Sequence, residues 1–511
     1  MEDLKTEKEE KILKERKDKI KNWFKNPYNL ALFGILILAI AIRLYFFTYT
    51  NIQALWWDEA EYGLRAKSIA FSTPITGWAA EREIIVPLFF ALLLKLGGTE
   101  TLLRFVQILV SMLTVFMTYL TISEISNKKI GLIASFAMSV FWLHLFFTAR
   151  VLLYLWAPLF YLLIIYFFYT GYIQDNKRNL IIFGIVASIG LQVYFSIGFL
   201  LFGIFVYLLF IEGFSLIKNK KAWLAFAIFI LVLIPHMIYF QSAYGSPLPR
   251  YSIGLHAVTK EPGAGLSGIF SYINMFPSRV GWVFTIASFL GLFYFIGNFL
   301  LGAGIKGNIK KNSQWLLIFI AFFIPLSLYT FYGVVGGSAT FYDGFILSTF
   351  PFFFAFGGLF LDKASELFAK YNKFLPIIII LVVLLVHAYS GITAANINIK
   401  TKISSYDSVK LAGLWIKENS QPGDIIISAS VPQNTYYSER TTYSFLQNAS
   451  VLEKQIEEKR PVYLVDSVWE PVEQWIHEFA SKNQTKYVPV QVYFFDKEQK
   501  QPSLVIYKIN Y

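Results

Sequence analysis

Trp56-Trp57-Asp58-Glu59-Ala60-Glu61 sets three carboxylates within four residues, directly after an apolar run over Tyr28–Tyr49 that is long enough to cross a bilayer. Carboxylates at a bilayer surface are costly unless they are solvated, paired or used. Two readings fit the spacing. Asp58 and Glu61 form a D-x-x-E pattern that would cap a helix over Glu59–Phe71. Alternatively, Asp58 or its neighbour Glu59 would act as a general base toward a hydroxyl nucleophile. The readings are compatible if one carboxylate caps and another faces the site.

The elements that must position this cluster are membrane helices. Of 511 residues, 56% are hydrophobic, 18% aromatic and only 15% charged, with a mean hydropathy of +0.52. Soluble domains carry about 25% charged residues, so a soluble enzyme, a disordered chain and a disulfide scaffold are excluded. The net charge of +12 is expected in cytoplasmic loops and at anionic headgroups rather than on nucleic acid. Cysteine is absent, which removes disulfides, thiolate metal sites and thiol nucleophiles. Residues 1–27 are Lys-rich and mixed in charge. They fit a cytoplasmic helix with Trp23 and Phe24 at the interface, or a solvated tail, and not a signal peptide.

Short basic loops punctuate the apolar runs at Asn127–Lys129, Asp175–Arg178, Lys218–Lys221, Lys306–Lys311 and Asp362–Lys373. The positive-inside rule places them all in the cytoplasm. That assignment settles Ile84–Gly97, an apolar stretch of about 14 residues that is short for a span. Were it to cross, the next basic loops would fall outside, so it reads as a juxtamembrane helix. The expected fold is a polytopic α-helical membrane protein of about eleven spans, with the amino terminus inside. The further spans begin near Leu102, Ile130, Val151, Asn179, Gly198, Ala222, Val280, Gln314, Tyr342 and Phe374. Three regions are expected: 1–27, a membrane domain 28–400 with a first outer loop 50–98, and an extracytoplasmic α/β domain 401–511. The longer loops with mixed chemistry then lie outside, together with any catalysis.

In the last region, Ser404–Asn419 has helical periodicity, Ile425–Ser430 reads as a strand, and Ser450–Glu453 is a capping box opening a short helix. A strand at Pro461–Val465, a helix at Val472–Ala480 and strands at Tyr487–Phe495 and Leu504–Ile509 complete a small layered α/β domain.

At this point the sequence resembles a family. WWDEAEYGLRAKSIA is similar to the acidic first-loop motif of the GT-C membrane glycosyltransferases, nearest the protein O-mannosyltransferase and aminoarabinose-transferase branch. Pro87-Leu88, Leu96-Gly97-Gly98, Leu103-Arg104-Phe105, FWLHLFFTAR ending at Arg150, and LAGLWIKENSQPGDIIISASVPQNTYYSER in the tail agree in order. The resemblance implies an inverting transfer of a sugar from a polyprenyl-phosphate donor, with a first-loop carboxylate as base. Asp58 is the matching position, and Glu59 stands beside it. A phosphate leaves without needing a proton, so such a transfer requires one base for the acceptor hydroxyl and cations for the phosphate.

The outer-loop cations are Arg65, Lys67, Arg82, Lys95, Arg150, Arg250, His256, Lys260 and Arg279. Arg82 and Arg150 come first for the phosphate because they sit in the loops that the resemblance puts around the donor, and Arg250 is third. For each, headgroup contact or snorkelling is the plainer role. His144, in an apolar span, has the character of a hydrogen-bonded core histidine. The sequence requires no cofactor and offers no cluster of metal ligands.

The chain also departs from its relatives. Tyr154 stands where many have an acid, Phe341-Tyr342-Asp343-Gly344 where an Arg-Tyr pair often opens a late span, and Ile84-Ile85-Val86-Pro87 where aminoarabinose-type enzymes have Glu-Lys-Pro-Pro. WWDEAEYG is similar to the WWDYG signature of oligosaccharyltransferases, but that signature belongs to their soluble domain and two extra residues interrupt it here. The expected partners are the lipid-linked donor, a protein, lipid or glycan acceptor, and membrane lipids in the plasma membrane. A lipid-linked-saccharide transporter or flippase is the alternative. A non-catalytic assembly protein is the third reading.

Overall fold

The computed structural model describes residues 23–78, 82–249, 264–301, 305–336, 341–446, 448–496 and 498–511. Most of the amino-terminal charged segment, Arg250, His256 and Lys260 lie outside the described residues.

Nine helices among the described residues are long and apolar enough to cross a membrane, from Pro27–Thr50 to Leu375–Lys400, and the chain is a multi-pass membrane protein. Two of the expected spans take a different form. The one starting near Asn179 is the helix Lys177–Val193, whose 17 residues reach roughly 26 Å at 1.5 Å per residue. The one starting near Ile130 is broken at Phe141, whose extended backbone separates Lys128–Val140 from Trp142–Phe147.

A break in an apolar medium frees carbonyls that must find donors. Arg43, 1% exposed on the first span, supplies them. Its Nη1 donates to Ser139 O and Ala39 O at 3.0 Å each. Its Nε donates to Ser111 Oγ at 2.6 Å, and its Nη2 meets His144 Nδ1 at 3.0 Å. From the last span, His387 sits 3.2 Å from Ala137 O and 2.9 Å from Val280 O. His144 is thus a bonded core histidine, as its surroundings in sequence suggest. The broken helix fixes the turn Thr148–Arg150 beside the first loop, where Thr148 Oγ1 donates to Ser111 Oγ at 3.1 Å.

The carboxy-terminal region carries a five-stranded sheet in the order β2-β1-β3-β5-β4. The strands are β1 Ile425–Ser428, β2 Thr441–Tyr443, β3 Tyr463–Ser467, β4 Tyr487–Phe494 and β5 Pro502–Ile509. β1 runs parallel to β2 and β3, and β5 runs antiparallel to β3 and β4. Alternation along the strands builds two cores. Ile426, Val465 and Ile506 face Val409, Ala412 and Ile416 of the helix Asp407–Glu418. Ile427 and Leu464 face Leu452 and Ile456 of the helix Ala449–Lys459.

The capping box expected at Ser450–Glu453 is not what opens that second helix. Its cap is Asn448, whose side chain accepts from Val451 N at 3.0 Å, because the helix begins at Ala449, two residues earlier than the box requires. Two elements have no counterpart in the sequence reading: β2, and the helix Val431–Ser438, which is buried along its whole length. That helix lies against Trp57–Phe71 of the first loop. Thr435 Oγ1 meets Thr76 Oγ1 at 2.9 Å, Tyr437 OH accepts from Leu55 N at 2.8 Å, and Lys67 pairs with Glu439 at 3.0 Å. Gly63 permits the approach, since a Cβ there would stand 3.0 Å from the Tyr436 ring. The sheet domain and the first loop therefore share one side of the helical bundle.

Candidate active site

The helix carrying the acidic cluster starts at Trp57, two residues before the start that the D-x-x-E pattern requires. The expected cap by Asp58 and Glu61 is therefore replaced by one from Glu59, whose Oε2 accepts the Trp56 amide at 3.0 Å. Glu59 is 0% exposed and takes three further bonds. Val151 N donates at 2.8 Å, Arg104 Nη1 at 3.2 Å and Arg150 Nη1 at 3.3 Å. These bonds occupy the roughly four acceptor positions of a carboxylate. Asp58, one residue earlier, keeps 36% of its side chain exposed. Its Oδ1 accepts from Arg82 Nη2 at 2.8 Å, and its Oδ2 lies 3.5 Å from Tyr154 OH. Glu61 binds Arg82 Nε and accepts from Trp57 Nε1 at 3.2 Å.

Arg82 thus sits between Asp58 and Glu61, with Nη1 donating to Tyr62 OH at 3.1 Å. Burial opposes its charge, but Tyr62, Asp58 and Glu61 outweigh that and raise its pKa. Arg150 stacks 3.6 Å from the Trp56 ring centre and 4.7 Å from that of Phe146. Burial and the neighbouring Arg104 pull its pKa below the ordinary guanidinium value, against Glu59. The residue before it, Ala149, has φ +69°, a strained conformation for an alanine, and its carbonyl accepts from Arg104 at 2.8 Å. The structure accordingly brings Asp58, Glu59, Arg82 and Arg150 together. Arg250 lies outside the described residues.

Several other cations have partners that give them a structural role. Lys67 is held by Glu439, Arg279 by Asp343 at 2.7 Å, and Arg65 by Tyr239 OH at 2.9 Å. Sequence reasoning missed Arg104 as a site residue. It is fully buried and joins Glu59, Glu100, Gln53 O and Ala149 O. A charge inside an otherwise apolar span was the available signal. Among the described residues no group of three His, Cys, Asp or Glu is arranged to hold a metal ion.

Residues 82–239 match the family described as dolichyl-phosphate-mannose-protein mannosyltransferase. No curated protein sequence matches the chain. Among solved structures, ArnT from Cupriavidus metallidurans bound to undecaprenyl phosphate aligns with TM-score 0.64 at 11% identity, over 93% of this chain and 98% of that one. An oligosaccharyltransferase from Archaeoglobus fulgidus, tethered to an acceptor peptide, aligns with TM-score 0.56 at 13% identity, over 96% of this chain and 75% of that one. The chain has the GT-C fold.

Within this GT-C fold, the departures in sequence acquire geometry. Tyr154, in place of an acid, points its hydroxyl at Asp58. Tyr342 has no arginine before it in sequence, but Arg279 reaches the adjacent Asp343 from a distant helix. A cavity of about 500 Å³ lies elsewhere, among Phe168, Phe183, Phe205, Leu216 and Trp223. Its lining has no carboxylate or cation.

Proposed function

We propose that the protein is a membrane glycosyltransferase that moves a sugar from a polyprenyl-phosphate donor to an acceptor hydroxyl, with Asp58 as the base and inversion at the anomeric carbon. The observation that carries this reading is the contrast between two adjacent carboxylates. Glu59 is sealed by four donors, whereas Asp58 is partly exposed and has acceptor capacity left. In the transfer, the acceptor oxygen bonds to the anomeric carbon as its proton passes to Asp58. The bond from that carbon to the phosphate oxygen breaks, and the phosphate leaves as an anion. Arg82, charged and 2.8 Å from Asp58, is placed to meet the negative charge developing there. Arg150 supplies a second guanidinium, and Arg250 is proposed as a third. Glu59 is a positioning residue that fixes the start of the helix and Arg150.

The break at Phe141 and the buried Arg43 are features that a transporter would show within the membrane. Here the Arg43 nitrogens are bonded to Ala39, Ser111, Ser139 and His144, which favours a role in holding the bundle.

Under this reading the first loop and residues 401–511 face the outside of the plasma membrane, with residues 1–27 inside. Contact between the helix Val431–Ser438 and the first loop supports a common side for the two. Cysteines at exposed Ser267 and Ser481 should react with an impermeant thiol reagent in intact cells, and one at Lys220 should not. The reverse pattern overturns the orientation. Purified protein supplied with polyprenyl-phosphate sugars tests the activity. Transfer by the parent protein and its loss in Asp58→Asn are expected, whereas undiminished transfer by the variant defeats the assignment of the base.

A further inference from the structure

Tyr194 caps the helix Lys177–Val193 and is 3% exposed, yet its hydroxyl has no hydrogen-bond partner among the described residues. Its backbone is held in place. The Tyr194 amide donates to Gly190 O at 3.0 Å, and its carbonyl accepts from Ile197 N at 3.1 Å. The next amide, Phe195 N, donates to Glu83 at 3.0 Å, and Glu83 directly follows Arg82. The Tyr194 ring stands edge-on to Tyr154, with centroids 6.0 Å apart at 79°, and Tyr154 is the tyrosine whose hydroxyl reaches Asp58. Tyr329, Tyr154, Glu83 and Tyr62 are its electrostatic neighbours.

Burying a hydroxyl without a partner is costly, so native proteins seldom do it without a reason. Tyr161 shows the ordinary arrangement nearby: it is also fully buried, and its hydroxyl donates to Ser196 O at 2.8 Å. Next to Tyr194 the rings of Tyr154 and Tyr342 lie 5.4 Å apart, and those of Tyr342 and Phe345 5.6 Å apart. This aromatic wall suits the C–H edges of a sugar ring.

We propose that the Tyr194 hydroxyl is a specificity-determining contact, hydrogen-bonded to one ring hydroxyl of the donor sugar. The proposal rests on the transferase reading above and deepens it by naming a contact of the donor. A site built to bond a substrate hydroxyl rejects the analogue that lacks it, because its own polar group is then left unpaired.

The test measures binding and turnover of polyprenyl-phosphate mannose, glucose and galactose, with bare polyprenyl phosphate and each monodeoxy analogue of the best donor as references. Tyr194→Phe should lower kcat/KM and affinity for the sugar-bearing donor by about tenfold or more. It should leave binding of bare polyprenyl phosphate unchanged and thermal stability equal or higher. One monodeoxy donor should be used equally by the parent and the variant. Tyr161→Phe, which loses a bonded hydroxyl, should lower stability without changing the order of preference among sugars. If Tyr194→Phe uses every donor as the parent does, or loses stability as Tyr161→Phe does, the inference falls while the transferase reading stands. If the parent binds sugar-bearing donors no better than bare polyprenyl phosphate and transfers none of the sugars, the transferase reading falls and takes this one with it.

Discussion

Around Glu59 four donors converge on a carboxylate with no exposure, two of them guanidinium groups from separate parts of the chain. Around Asp58 there is one guanidinium, one tyrosine hydroxyl at the limit of bonding distance, and solvent. The residues are chemically alike and adjacent, so their roles are separated by surroundings alone. A carboxylate whose lone pairs are all engaged stabilises structure, and one with spare acceptor capacity beside a fixed cation can take up a proton.

Breaking the buried side of this comparison should have the largest effect. Glu59→Ala leaves Arg104 and Arg150 without their shared partner. It should destabilise the protein by about 3–5 kcal/mol, read as a fall in the thermal or denaturant midpoint in detergent. An unchanged midpoint would mean that the cluster is not the anchor described here. Asp58→Asn should do the opposite, lowering turnover by roughly 10²-fold or more while the unfolding midpoint stays near that of the parent. Arg82→Ala should reduce donor kcat/KM by roughly 10²-fold, and Arg82→Lys should recover only part, because lysine lacks the fork that spans Asp58 and Glu61. Equal loss with Ala and Lys would point to shape rather than charge. The smallest effect is expected at the domain contact. Tyr437→Phe removes the acceptor for Leu55 N and a donor 3.4 Å from Glu100, and should cost about 1 kcal/mol in the unfolding midpoint.

The membrane helices and the alternating sheet domain were legible because hydropathy and residue period report burial directly. Asp58 stood out because a carboxylate cluster beside a span is costly. What could not be read depends on contacts between distant residues. FWLHLFF is apolar apart from His144 and holds no Pro or Gly, so nothing in it marks the break at Phe141, and Arg43 has no visible partner until that break exposes Ser139 O. The cap moved from Asp58 to Glu59 because Val151, Arg104 and Arg150 converge on Glu59 from elsewhere, fixing the start of the helix. The helix Val431–Ser438 is short and of mixed polarity, and only Pro432 in its first turn marks it. Its burial comes from two surfaces, one made by the first loop and one by the helix Asp407–Glu418.

That helix also has a consequence for the order in which the molecule is completed. Lys67 and the Tyr436 carbonyl that it bonds are 369 residues apart. At typical synthesis rates of about 5–20 residues per second, roughly 20–70 s pass between the emergence of the first loop and that of its cover. During this interval Gly63 and the face of the helix around it lack the tyrosines that close over them. Until the last hundred or so residues arrive, the nascent chain is a membrane bundle whose first loop lacks its cover.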